Sequence, residues 1–294
     1  IMENKAIARK PGSSRQKKAA VINDMAGFGR CALTVALPVI SRLKVQCCPV
    51  PTAILSNHTA FADFYLDDYT DRMEDYIQQW RTLGLTFDGI GTGFLSSVKQ
   101  IAIARTFIRD FRTESTEVVV DPVMGDNGKL YAACTRQVCR EMIKLAESSD
   151  IVTPNVTECC ILTGRDFHEG QWREEELLSM ARELADRGPG KVVITGVPSG
   201  SDIGNFCYER GGETRGDRET WALKRVEKAG ESRCGTGDVF SAIILADAVN
   251  KVPLEKSVEK AADFISLCIR KSAELEVPLT DGVCFEEVLD RLTP

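Results

Sequence analysis

From Asp238 the chain runs through Val239-Phe240-Ser241-Ala242-Ile243-Ile244-Leu245-Ala246 and meets no proline or glycine until Pro253. A helix this apolar around its circumference has to be buried. It is entered through Cys234-Gly235-Thr236-Gly237, where two glycines let the backbone bend so that successive N–H groups point outward. The helix dipole adds partial positive charge at that end, which suits an anion and phosphate above all. Asp238 in the first turn reads two ways, as an ordinary helix cap or as a base facing whatever the turn binds.

The strands around this helix can be read from the same pattern. Ala19–Ile22 is a short apolar strand ending at Asn23-Asp24, followed by Gly27-Phe28-Gly29 and a helix from about Arg30 to Leu43 that Pro38 should kink or split. The spacing is not that of a dinucleotide fingerprint, because Arg30, Cys31 and Ala32 follow Gly29. Val45–Leu55 reads as a second strand with Ser56-Asn57-His58-Thr59 at its C-terminal end. Those four polar residues are either a ligand-binding strand end or a plain turn.

Helices follow at about 71–83 and 98–111, with strand Phe87–Thr92 between them. Glu117–Val120 ends in three valines, the mark of a strand buried on both faces. It runs into Asp121-Pro122-Val123-Met124-Gly125-Asp126-Asn127-Gly128, whose carboxylates suit a cation–phosphate site and whose Asn and Gly suit a turn. Thr135 should cap a helix to about Glu147, and Asp150–Val152 is a strand. Thr153-Pro154-Asn155 then leads into a helix on which Asn155 and Glu158, three apart, face the same way. A capping box explains part of that spacing. An exposed helix at 174–186 precedes strand Lys191–Thr195, ended by Gly196.

From Ser199 to Val226 the alternation gives way to a β-meander, Asn205–Glu209 and Thr220–Arg225 about a Gly211-Gly212 turn. Helices from about Leu254 to Leu275 and Phe285 to Leu292 close the chain. Alternating β and α without an internal linker specify one α/β domain, a mostly parallel sheet covered on both faces with a small antiparallel flank. At 294 residues a single domain is as plausible as two.

Composition excludes several classes. Lys plus Arg number 37 against 43 Asp plus Glu, a net charge of −6, which argues against nucleic acid or an anionic membrane as the main partner. No stretch approaches about 20 apolar residues, so nothing should span a bilayer as a helix. The 11 cysteines include no C-x-x-C pair and suit reduced core thiols in a cytoplasmic protein. Two histidines, His58 and His168, leave little material for a histidine-rich metal site. Residues 1–18 carry six basic side chains against Glu3 and read as a disordered basic leader or an expression remnant, with the fold beginning at Ala19.

Five of these pieces together resemble the pyridoxal kinase branch of the ribokinase-like superfamily, over about residue 19 to the end. They are the Asn23–Arg30 loop, Ser56–Thr59, Asp121–Asp126, Thr153–Asn155 with Glu158, and Gly235–Asp238. The resemblance implies a three-layer α/β/α sandwich that transfers the γ-phosphoryl of ATP to the 5′-hydroxymethyl of pyridoxal, pyridoxine or pyridoxamine. It implies that Asp238 takes the hydroxyl proton while Gly235, Thr236 and Gly237 hold the developing charge. By the same resemblance Asp121, Asn155 and Thr195 serve the nucleotide, Asp126 and Glu158 serve Mg²⁺, and residues 196–226 line the nucleotide. Asn23, Asp24, His58 and Thr59 would hold the pyridine ring. A monovalent cation such as K⁺ and a homodimer are further implications, the latter matched by the apolar content of residues 45–66. Asn23-Asp24 stands where many vitamin B6 kinases carry serine, so a hydroxymethylpyrimidine kinase is the nearest alternative and a non-catalytic pyridoxal-phosphate-binding protein a more distant one.

Overall fold

The computed structural model describes residues 16–212 and 218–294; residues 1–15 of the expected leader lie outside it. The chain is already held before Ala19. Lys17 Nζ donates to the Val249 carbonyl at 3.0 Å and to Asn250 at 3.2 Å, and Lys18 opens the first strand, β1 (Lys18–Ala26). The leader therefore does not reach residue 18.

The elements that follow are α1 (Ala32–Arg42), β2 (Gln46–Leu55), β3 (Leu66–Asp68), α2 (Thr70–Thr82), β4 (Gly89–Thr92), α3 (Val98–Phe111) and β5 (Glu117–Val120). A two-stranded ribbon, β6 (Gly125–Asp126) and β7 (Lys129–Leu130), precedes α4 (Arg136–Ala146), β8 (Ile151–Val152), α5 (Val156–Thr163) and α6 (Glu174–Arg187). Then come β9 (Lys191–Ser199), β10 (Asp202–Glu209), β11 (Thr220–Glu227), α7 (Thr236–Asn250) and α8 (Leu254–Glu274). The last segment, Glu286–Arg291, is a 3-10 helix, where an ordinary helix was expected.

Among the described residues, nine strands form one sheet in the order β11-β10-β9-β8-β5-β4-β1-β2-β3. The six from β9 to β2 run parallel, β10 pairs antiparallel with both β9 and β11, and β3 pairs antiparallel with β2. Alternation sorts the side chains of each central strand to opposite faces. Val118 and Val120 join the core formed with α2–α6, whereas Val119 joins the core formed with α1, α7 and α8. Ala20 and Ile22 divide from Ala19 and Val21 in the same way. The result is the three-layer α/β/α sandwich expected.

Helix α7 lies on the sheet because β4 lacks side chains beneath it. A Cβ built on Gly89 would sit 2.5 Å from Val249, and one on Gly91 would sit 2.7 Å from Leu245. Both neighbours of β1 are parallel, with the order reversing there: β2 lies on one side and β4 with the rest on the other. In such sheets ligands bind where the order reverses, beyond the strands' C-terminal ends.

Three local expectations are corrected. Pro38 lies inside a single helix α1 rather than splitting it; Val35, Ala36, Val39 and Ile40 around it are buried, and that packing holds the helix across the missing N–H. Strand β1 does not end at Asn23 but continues to Ala26, with a register irregularity against β2 between Asn23 and Met25. Strand β9 likewise passes Gly196, because β10 pairs with it as far as Ser199.

Candidate active site

The first turn of α7 faces the C-terminal end of β1. Gly235 has φ +87°, and a Cβ placed on it would lie 2.0 Å from the Arg30 carbonyl, so the chain's own backbone fills the space a side chain would need. The helix end is thereby pressed against residues 30–32. Arg30 and Ala32 both hold positive φ without being glycine, at 45° and 52°, a conformation that costs of order 1–2 kcal/mol and persists only where surroundings enforce it. Arg30 is clamped by Glu286 at 2.8 Å and by the Asp281 carbonyl at 3.0 Å.

Asp238 accepts from Asn23 Nδ2 at 3.2 Å and from the Ala32 backbone N–H. The Asn23 amide has one available orientation. Its Oδ1 accepts from the backbone N–H groups of Phe94 at 2.9 Å and Asp24 at 3.0 Å, so its Nδ2 must point at Asp238. Asn23 was expected on the substrate; its contacts here make it the residue that orients Asp238. Burial pushes the Asp238 carboxyl above its usual range, an effect that these two hydrogen bonds partly offset. Asp24, one residue on in the β1 irregularity, is pushed up to about 7 by burial and then by the charge of Asp238.

A second group of acids lies across the sheet ends. Asp121 follows β5 and is held well above the ordinary carboxyl range by burial, Glu158 and Asp238, with a hydrogen bond from Ser241 acting against them. Glu158 is 3 % exposed. Its Oε2 accepts from Asn155 N at 2.8 Å and its Oε1 from Met124 N at 3.0 Å. Burial still raises it to about 8, with Asp126 adding to the rise. Asn155 caps α5 in a reciprocal capping box with Glu158, and its Nδ2 donates to the Gly125 carbonyl at 2.8 Å. Thr195 pairs with Asn155 through an isolated parallel bridge, so two of the three residues expected at the nucleotide are neighbours. Asp126 is exposed on the ribbon, its carboxylate accepting from Asn127 N and Nδ2 at 2.8 and 3.0 Å.

Thus Asp24, Asp238, Asp121, Glu158 and Asp126 form a line of carboxylates. The charges acting on Asp24 and Asp121 are all negative. Among the described residues no three His, Cys, Asp or Glu converge as a closed metal cage. The donors fit a hard cation that keeps most of its shell in water and phosphate oxygens, as Mg²⁺ does.

The 56–59 segment divides. Ser56 Oγ donates to Asn57 Oδ1 at 2.7 Å and Asn57 Nδ2 donates to the Asp63 carbonyl at 2.9 Å, which closes the loop on itself. His58 is buried, with Nδ1 accepting from Ala60 N at 3.3 Å and Nε2 facing the Thr280 carbonyl at 2.7 Å. Both ring nitrogens are engaged within the chain, so the expected contact of His58 with a ligand is replaced by a role in fixing the loop. Thr59 is exposed. Ser241 joins the site without having stood out in the sequence, although it lies one helical turn after Asp238. Tyr131 did not stand out either; its hydroxyl is raised by burial and by Asp126, Glu158 and Asp121, and no spacing marks that position.

A glycine-formed helix end, a carboxylate in its first turn and a line of acids suited to a hard cation thus lie together at the strand ends of an α/β/α scaffold. The phosphomethylpyrimidine kinase family matches residues 36–280, and the chain belongs to it. A protein of Bacteroides thetaiotaomicron classed with the phosphomethylpyrimidine kinases, in a crystal form with pyridoxal, is 36% identical with TM-score 0.87, covering 95% of this chain and 96% of that one. Pyridoxal kinase of Sus scrofa is 32% identical over 203 residues, 64% of this chain and 61% of that enzyme. The chain thus spans about three fifths of the pig enzyme's length in that match. Pyridoxal kinase of Lactobacillus plantarum shares the fold, with TM-score 0.83 at 23% identity over 95% of this chain and 97% of that one.

Proposed function

We propose that this chain is an ATP-dependent kinase that phosphorylates the 5′-hydroxymethyl group of pyridoxal, and of pyridoxine and pyridoxamine, to give the 5′-phosphate. The observation that carries this is Asp238, oriented by Asn23 and the Ala32 N–H at the mouth of the Gly235–Gly237 turn. The Bacteroides relative crystallised with pyridoxal favours this ring over a hydroxymethylpyrimidine. Asp238 takes the proton of the hydroxymethyl oxygen as that oxygen attacks the γ-phosphorus and ADP departs. The amides of Gly235, Thr236 and Gly237 stabilise charge on the moving group, where fixed dipoles act without reorganising. Asp121, Asn155 and Thr195 line the nucleotide side, and Asp24 and Thr59 the ring side. The reaction is expected in the cytoplasm, in keeping with eleven free cysteines. Comparing kcat/KM for pyridoxal, pyridoxine, pyridoxamine and hydroxymethylpyrimidine tests the assignment; a preference for the pyrimidine contradicts it.

Asp126 and Glu158 would hold Mg²⁺ through water, with Asp121 beside them. An ion held there would supply neutralisation of the phosphate charge. The raised acids give this a pH signature. Between the ordinary Glu value of 4.5 and about 8, folded Glu158 retains a proton that the unfolded chain has lost, so its contribution to stability falls as pH rises through that window. A cation competes with that proton. Added Mg²⁺ should therefore raise Tm more at pH 8 than at pH 6, and an equal or reversed increment would remove Glu158 from the metal site.

Thr59→Val keeps the shape and deletes the hydroxyl. A neutral hydrogen bond is worth about 0.5–1.5 kcal/mol, so KM for pyridoxal should rise roughly 2- to 10-fold with KM for ATP unchanged. A rise confined to ATP would place this segment on the nucleotide side.

The chain is also a homodimer. Of the apolar residues between 45 and 66, Val45, Val50 and Leu55 are buried within the chain itself. Ile54, Phe64, Tyr65 and Leu66 stay exposed on the β2–β3 edge beside Met25 and Phe28, an apolar patch suited to a second copy. Light scattering at micromolar concentration should give twice the chain mass; the monomer mass would refute it.

A further inference from the structure

Cys31 and Cys234 meet beside the phosphate-binding turn. Cys31 is the residue between the two strained positions, Arg30 and Ala32, and Cys234 precedes Gly235. Cys234 packs against the buried Cys31. The pair packs with Ala26, Ala32, Ala53 and Leu55 in a small apolar cluster separate from the two main cores. The backbones run side by side, since a Cβ on Gly235 would lie 3.6 Å from Cys31 Cα. Cys31 is buried and Cys234 half-buried, so one sulfur is reachable from solvent and the other waits behind it.

We propose that Cys31 and Cys234 form an oxidation site for peroxides that closes to a disulfide and switches off the adjoining phosphate-binding turn. Cys234 thiolate attacks one peroxide oxygen, the O–O bond breaks, and a sulfenic acid and water result. Cys31 sulfur then attacks Cys234 sulfur, its proton leaves with the sulfenic oxygen as a second water, and the S–S bond forms. Two electrons pass from the thiols to one peroxide. Cys234 is the half-buried member of the pair and Cys31 the buried one, which makes Cys234 the group that meets the peroxide first.

Closure would act on the site from both sides of Cys31. The Arg30 carbonyl abuts Gly235 and the Ala32 N–H holds Asp238, so a bond drawing Cys31 to Cys234 shifts the turn and the base together. Displacements of about 1 Å at such sites cost roughly 10²-fold in rate. This effect on activity rests on the kinase reading above; formation of the bond does not.

The test is hydrogen peroxide applied to the full chain, with non-reducing peptide mass spectrometry and kinase activity followed in parallel. We expect a Cys31–Cys234 cross-linked peptide, about a 10²-fold loss of turnover, and recovery of both on adding dithiothreitol. Cys31→Ala should keep its activity and resist the reversible loss. Oxidation that yields only cross-links elsewhere, for example between Cys268 and Cys284, overturns the site. A 31–234 cross-link with full turnover overturns the switch. If the protein phosphorylates none of the four candidates, the cross-link and its reversal still decide the oxidation site, while the kinase reading fails separately.

Discussion

Asp238→Asn should fold normally and lose roughly 10²–10⁴-fold in turnover, the usual worth of a positioned general base. The substitution keeps size and helix-capping ability. It can still meet the Ala32 N–H, which donates to the native carboxylate. What it cannot do is take a proton. ATP affinity should change little, because the groups proposed to bind phosphate at this turn are backbone amides. Near-normal turnover in a folded Asp238→Asn protein would return Asp238 to the role of a cap. Since Asn23 Oδ1 is committed to two backbone N–H groups, the Asn23 amide cannot rotate to rescue the variant by presenting its oxygen.

Gly235→Ala should be comparably severe, for a different reason. The added methyl would lie 2.0 Å from the Arg30 carbonyl, and the residue would have to keep φ +87°. Either the turn or residues 30–32 must move. The latter are held by Glu286 and the Asp281 carbonyl, so the turn yields. A shift near 1 Å in a phosphoryl-positioning group costs about 10²-fold, and the strained backbone lowers Tm as well. Gly237→Ala is the control, because a Cβ there meets nothing within 4 Å. It should leave Tm unchanged and act only when nucleotide is bound. Equal loss of Tm in both variants would contradict the view that Gly235 is fixed by the fold and Gly237 by the ligand.

Elements governed by local rules were legible in the sequence. Three consecutive valines marked β5, which the structure places between two cores. Thr135 caps α4 through Val138 N, and Asn155 with Glu158 forms the capping box that their spacing implied. The run after Asp238 is a buried helix. What was not legible depends on distant partners. Strand β3 exists because β2 offers it an edge. The β1 irregularity is fixed by pairing with β2, and Asn23 is turned towards Asp238 by Phe94, 71 residues away. His58 looked like a strand-end ligand group until Thr280, far along the chain, took its Nε2. The contact of Cys31 with Cys234 likewise spans most of the chain.

The most direct measurement is product analysis after mixing the purified protein with ATP, Mg²⁺ and pyridoxal. Pyridoxal 5′-phosphate and ADP should appear in equal amounts over many turnovers, with neither formed by Asp238→Asn above about one hundredth of the native rate. Pyridoxal recovered unchanged from a protein that binds it without releasing ADP would show a binding protein and contradict the account.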